Sequence, residues 1–271
     1  MKKVHLVSLG CPKNRVDSEV MLGSLREDDW EFVDAPESAD VIVVNTCSFI
    51  QPATEESVET VLEMAQFKEA GSASKLIVTG CMVQRFGASL EDELPEVDHF
   101  LGTGEYHRIA DVLAGRGPQL RSHVDTPLYI HDELAPRLNS WAPHSAYLKI
   151  SEGCNHRCTF CIIPQLRGKL RSRTIESLTA EALKLSAQGV RELNIISQDT
   201  TAYGRDIYGS PSWPSCCARW RRSTASAGSA CTTPTPSACP TICCGPSPRR
   251  RRSAPTWTCP CSTPRAPCSR R

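Results

Sequence analysis

Over residues 1–210, short unbroken apolar runs alternate with longer stretches in which apolar positions recur at helical spacing. Val4–Ser8, Val41–Asn45 and Leu76–Thr79 are brief and rich in β-branched residues, the pattern of strands covered on both faces. Between them Ser18–Glu27 and Ala53–Glu69 read as helices, the second entered through Pro52. Asp98–Leu101 and Tyr106–Leu113 add a fourth strand–helix unit. Such repeats build a parallel sheet with right-handed crossovers, so the fold class is α/β. From Gly115 the pattern lapses, which predicts a linker with one short strand near Leu128–Ile130 and solvated histidines at His123, His131 and His144. It resumes with a strand over Ala146–Ile150, a helix over Glu176–Ala187 closed by Gly189, and a strand over Glu192–Ser197.

Cys11, Cys47 and Cys81 each stand just past a predicted strand. A parallel sheet puts all those strand ends on one edge, where such folds hold ligands. A lone cysteine is most often a small buried hydrophobe. Three at equivalent positions in successive repeats point instead to an iron–sulfur site with three thiolates. Asn45 and Thr46 beside Cys47 read either as donors to that site or as turn residues. A second trio, Cys154, Cys158 and Cys161, follows the strand at Ile150 with C-x3-C-x2-C spacing. A cuboidal cluster takes four thiolates, so three leave one iron open to a small molecule. The alternative is structural zinc, which is closed by paired ligand groups, and no second pair follows in register. Arg167, Lys169, Arg171 and Arg173 form a basic run after the trio, read as facing ligand or substrate, or equally as a solvated face.

The run Lys149-Ile-Ser-Glu-Gly-Cys154-Asn-His-Arg-Cys158-Thr-Phe-Cys161 resembles the signature of the radical S-adenosylmethionine (SAM) enzymes. That resemblance implies a 4Fe–4S cluster on Cys154, Cys158 and Cys161, SAM on the open iron, and Phe160 beside the adenine. Without it, Phe160 is an ordinary packing aromatic. Ser8-Leu-Gly-Cys-Pro-Lys-Asn14, Val16-Asp-Ser-Glu-Val-Met-Leu-Gly23, Asn45-Thr-Cys-Ser-Phe-Ile50 and Val78-Thr-Gly-Cys81 resemble the N-terminal domain of the methylthiotransferases. Gly-Cys-Pro-Lys-Asn and the later Ser197-Gln-Asp-Thr-Thr-Ala-Tyr-Gly204 resemble the branch that modifies an aspartate of small-subunit ribosomal protein S-twelve. The resemblance spans residues 4–209. It implies two 4Fe–4S clusters, SAM, that ribosomal protein as partner, an electron donor such as flavodoxin or ferredoxin, and a sulfur donor it does not name. It also implies that the second half opens a partial (β/α)6 barrel, with Gln198 and Asp199 at a strand's C-terminal end. A transfer RNA adenosine substrate, or an iron–sulfur-binding fragment without turnover, are the other readings.

Composition changes the picture at one point. The formal net charge is +1, yet all 30 Asp and Glu precede Pro211, leaving residues 1–210 acidic and 211–271 with ten Arg and no acid. Residues 211–271 hold nine Cys and eleven Pro, and Ile242 alone among Leu, Ile, Val, Phe and Met. Such a segment cannot bury enough apolar surface to offset ordering entropy, which predicts a disordered tail. A one-nucleotide shift through GC-rich codons rereads Trp213–Trp220 as Leu-Ala-Glu-Leu-Leu-Arg-Ala-Leu, an amphipathic helix. The same shift gives Ser226–Thr235 a strand pattern and Thr256–Thr263 the family's own continuation, so a frame error is expected near codons 209–214. The expected division is an N-terminal methylthiotransferase domain at 1–115, a linker at 116–145, a partial radical SAM domain at 146–209 and the tail at 210–271.

The apolar start, Val4–Leu9, is shorter than the ~7–15 residues of an export signal. No run approaches the ~20 apolar residues of a membrane span, so the expectation is a cytoplasmic protein without membrane contact. In that reducing compartment cysteines are metal ligands more often than disulfides.

Overall fold

The computed structural model describes residues 2–116, 120–140 and 142–212, and the backbone of 228–231. Its first half is a six-stranded, all-parallel sheet of β1 (Lys3–Ser8), β2 (Glu31–Phe32), β3 (Val41–Thr46), β4 (Lys75–Gly80), β5 (His99–Leu101) and β6 (Ser122–His123), in the order β2-β1-β3-β4-β5-β6. All six residues of β3 are buried, as its unbroken apolar run requires of a central strand. Alternate side chains leave on opposite faces. Ile42, Val44, Leu76, Val78 and Phe100 pack on one side with Val61 and Met64 of α2 (Gln51–Glu69). Val41, Val43, Ile77 and Leu101 pack on the other with Val20, Met21 and Leu25 of α1 (Pro12–Glu27). The short helices α3 (Cys81–Phe86), α4 (Ser89–Glu93) and α5 (Ile109–Leu113) complete the layers.

Helix α1 begins six residues before the periodic stretch. Pro12 occupies its first turn, where a missing N–H costs nothing, and Cys11 stands at the N-cap. Its first two turns bury Asn14, Asp17 and Ser18, polar residues that a hydrophobic period does not count.

The second half contains β7 (Ser145–Lys149), a two-stranded antiparallel ribbon of β8 (Ser151–Glu152) and β9 (Arg171–Ser172), then β10 (Glu192–Ile196) and β11 (Gly228–Cys231). β7, β10 and β11 form a parallel sheet in the order β11-β10-β7. Between them lie α6 (Ile163–Arg167), α7 (Ile175–Ala187) and α8 (Arg205–Tyr208). The Thr174 hydroxyl caps α7 by accepting from the Ser177 amide at 3.2 Å, and Gly189 follows its end at φ +98°. Ala146, Leu148 and Ile150 pack with Leu178, Ala182, Leu185, Leu193 and Ile195.

Three expectations change. No strand forms at 128–130; instead Ser122–His123 becomes the edge strand β6. His123 and His131 are buried, at 6 % and 1 % exposure, the first because it pairs with Leu101 as part of β6 and the second because it packs against Arg173 and Glu181. Gly228–Cys231, inside the stretch expected to be disordered, pairs with β10. It falls within Ser226–Thr235, where the shifted frame carries its strand pattern. The remainder of the expected disordered tail beyond Ser212 lies outside the described residues.

Candidate functional site

The first thiol trio is assembled by the sheet. Cys47 and Cys81 follow β3 and β4 directly, Cys11 lies three residues past β1, and β3 is hydrogen-bonded to both of the other strands. Gly10, at φ +85°, lets the chain after β1 pass against Cys47. A Cβ there would lie 2.7 Å from the Cys47 Cβ and 3.0 Å from its sulfur. Cys47 and Cys81 are buried and Cys11 half-buried. Burial pushes the Cys81 thiol up to about 11, Arg167 opposes this, and the neighbouring Cys11 and Cys47 add to it. Three sulfurs therefore share one partly enclosed place, beside a cation able to compensate thiolate charge. That donor set suits a thiophilic cluster.

The residues around the trio are tied to backbone. The Asn45 side-chain amide donates to the Asn14 carbonyl at 2.8 Å and to the Ser18 hydroxyl at 2.9 Å. The Thr46 hydroxyl donates to the Thr79 carbonyl at 2.6 Å. Ser57 donates to the Cys47 carbonyl at 2.8 Å and accepts from its amide at 3.0 Å. Thus Asn45 and Thr46 brace the strand ends.

The second trio lies on the loop from Gly153 to Ile162. Gly153, at φ +77°, packs on the backbone of Gly168 and Lys169, where any Cβ would collide. The Cys154 amide donates to the Gly168 carbonyl at 3.1 Å, and the Asn155 side chain accepts from the Leu170 amide at 3.0 Å. The Cys161 amide donates to the Cys158 carbonyl at 3.1 Å, closing a turn. Cys158 is exposed, Cys154 and Cys161 half-buried. Phe160 is 91 % exposed, so it is not a packing aromatic of the core. At the end of β10, Asp199 meets His156 of this loop at 2.8 Å. Burial alone would raise the Asp199 carboxyl, but hydrogen bonds from Thr201 and His156 hold it below its ordinary value.

Beside the first trio lies a buried ionic cluster that hydrophobic patterning did not reveal. Lys149, fully buried, contacts Asp17 and lies 2.8 Å from Glu152. Arg167 reaches Asp17 at 2.6 Å, Glu152 at 3.3 Å, Asn14, and the Cys81 sulfur at 3.5 Å. Gln198 donates to the other Glu152 oxygen. Although burial opposes ionisation, Lys149 and Arg167 hold Glu152 well below the carboxylate range. Arg173, also expected on a solvated face, is 4 % exposed and pairs with Glu181. Lys169 is the exposed member of the basic run, and Arg171 is half-buried. Among the described residues, no group of three His, Cys, Asp or Glu is arranged around a single metal ion.

Two family models match this chain. Residues 3–102 match "Uncharacterized protein family UPF0004" and residues 148–209 match the "Radical SAM superfamily". The ribosomal protein uS12 methylthiotransferase RimO of Myxococcus xanthus is 54% identical over 210 residues, 78% of this chain and 44% of that protein. RimO of Geobacter sulfurreducens is 52% identical over 214 residues, 78% of this chain and 48% of that protein. Over residues 3–209 the chain is similar to the radical SAM methylthiotransferases. It spans about half the length of these relatives. The radical SAM methyltransferase TsrM of Kitasatospora setae shares the fold, with a TM-score of 0.56 at 14% identity over 82% of this chain and 52% of that one. The radical SAM match implies a 4Fe–4S cluster and SAM. Among the described residues no helix is long and apolar enough to cross a membrane.

Proposed function

We propose that this chain carries methylthiotransferase chemistry, adding a methylthio group to the β-carbon of an aspartate of ribosomal protein uS12. The relatives named above supply that substrate. The observation that supports the reading is the buried ionic cluster by which Arg167 and Lys149 of the second half reach Asp17 and the Cys81 sulfur beside the first thiol trio. Cys11, Cys47 and Cys81 would hold one 4Fe–4S cluster, and Cys154, Cys158 and Cys161 a second that binds SAM beside Phe160. When bound, these groups supply radical hydrogen abstraction, a methyl group and sulfur.

The chain's own residues bind and orient. Gly10 and Gly153 permit the close passages that shape the two thiol sites. Lys149 and Arg167 neutralise Asp17 and Glu152, so that Glu152 keeps a fixed acceptor for Gln198 beside the second loop. The expected division is 1–115, a linker at 116–145 and 146–209, in a cytoplasmic, reducing setting. A one-electron donor of flavodoxin or ferredoxin type would serve it.

Anaerobic reconstitution tests the proposal. Iron and sulfide should fall by about half when Cys11, Cys47 and Cys81 become Ala, and again by half when Cys154, Cys158 and Cys161 do. Only the second triple change should abolish 5′-deoxyadenosine release from SAM. Zinc uptake in place of iron, or an unchanged iron content in either variant, would defeat it.

A further inference from the structure

We infer that Arg167 is a positioning residue for the first thiol trio: borne on the helix after the second trio, it donates to the Cys81 sulfur and raises the reduction potential of the cluster held there. The inference rests on reading Cys11, Cys47 and Cys81 as cluster ligands. It goes beyond that reading by naming a residue, from the other half of the chain, that sets the cluster's electronics.

The geometry is specific to a guanidinium. Arg167 is 2 % exposed and sits at the end of α6, which starts two residues after Cys161. Its planar fork divides its donors. Nη1 serves Asp17 at 2.6 Å and Glu152 at 3.3 Å, while Nη2 serves Asn14 and the Cys81 sulfur at 3.5 Å. Asp17 and Asn14 belong to α1, whose N-cap is Cys11. One side chain therefore ties both ends of the first trio to the backbone that follows the second. Lys149 neutralises the same two carboxylates but has no hydrogen bond to the sulfur among the described contacts. Its presence leaves Arg167 as the cation that meets Cys81.

Reduction adds an electron to a cluster already anionic through its thiolates. A buried cation and an N–H directed at a ligand sulfur stabilise the reduced form more than the oxidised one, and hydrogen bonds to sulfur are a recognised lever on cluster potential. Losing Arg167 removes both effects and leaves Asp17 and Glu152 facing Lys149 alone.

The test uses the full chain with Cys154, Cys158 and Cys161 changed to Ala, so that only the first trio can load. After anaerobic loading with iron and sulfide, the reduced and oxidised forms are followed by electron paramagnetic resonance during a redox titration. At the parent's midpoint, Arg167→Gln should lower the reduced-to-oxidised ratio roughly tenfold, the scale of one charge-assisted hydrogen bond. Arg167→Lys should lower it less, because an ammonium keeps the charge and loses the fork. A role in packing alone would lower the melting temperature and leave the midpoint in place. An unmoved midpoint in Arg167→Gln with full iron and sulfide content overturns the inference. Should Arg167→Gln fail to fold, Arg167→Lys decides: a lowered ratio supports the inference and an unchanged one overturns it. A parent that takes up no iron and sulfide instead defeats the cluster reading of the first trio, an outcome visible before any Arg167 variant is made.

Discussion

Arg137 shows how much a single side chain holds in this molecule. It is buried, with Nη2 at 2.6 Å from Glu19 of α1 and Nη1 at 2.5 Å from Glu181 of α7, and it also donates to the Tyr147 carbonyl. Breaking a buried pair strands the partner charge, so Arg137→Ala should destabilise the chain by about 3–5 kcal/mol, read from the urea midpoint. His131 lies in the same cluster. Burial drives its ring down to about 4 from an ordinary 6.5; Glu181 pulls upward, while Arg173 and Lys149 add to the fall. The Arg173 N–H faces its Nε2 at 3.2 Å, so the neutral ring accepts. Between pH 6.5 and 4 the unfolded chain binds a proton that the folded ring refuses. Stability is therefore complete above the upper value and is lost as pH falls, by roughly 2 kcal/mol at pH 5. Thermal melts from pH 7.5 to 5 should show that slope, and His131→Gln should flatten it. An equal slope in both proteins would exclude His131 as its source.

At the scale of elements, the cluster loop depends on the turn at Gly153. Gly153→Ala needs a φ that L-residues rarely adopt and drives a methyl into the Lys169 carbonyl. The expected result is loss of iron from the second trio, with the first trio still loaded, measured as about half the parent's iron and sulfide. The strands that carry the first trio were legible in the sequence, because β1, β3 and β4 are short apolar runs, and β3 and β4 are buried on both faces. Their cysteines were legible for the same reason, each marking a strand's end. The early start of α1 and the ionic cluster were not. Asp17, Glu19, Lys149, Arg167 and Arg173 carry charge, and a hydrophobic pattern assigns charge to the surface. Contacts formed in the fold, such as Arg167 with Asp17 across 150 residues, show that these charges are satisfied inside. Of the linker histidines, His144 is exposed as expected, while His123 and His131 are buried against the same expectation. His131 has no neighbouring ligand in sequence and finds Glu181 and Arg173 fifty and forty-two positions away.

For the whole molecule, three observations meet at one place. The radical SAM model's match stops at residue 209, the matched relatives share about 210 residues with this chain, and the last acidic residue, Asp206, lies just before the same point. Below it lies a packed α/β protein; above it the sequence offers one residue among Leu, Ile, Val, Phe and Met, Ile242. The strand β11 pairs through its backbone, which any residues can supply, so its presence does not require an apolar sequence there. A parallel sheet nonetheless needs both faces covered, and Gly228-Ser-Ala-Cys231 offers little to cover them with. The shifted frame rereads Ser226–Thr235 as Ile-Arg-Trp-Val-Arg-Leu-His-Tyr-Thr-Tyr, which would put Trp, Val and Leu into that strand. Sequencing the gene across codons 209–214 should therefore reveal a one-nucleotide displacement from the frame written here. The frame-restored chain should melt at least several degrees higher, because each large apolar side chain it buries adds about 1.5–3 kcal/mol. An intact frame, or a restored chain no more stable than this one, would mean that the break in composition belongs to the protein itself.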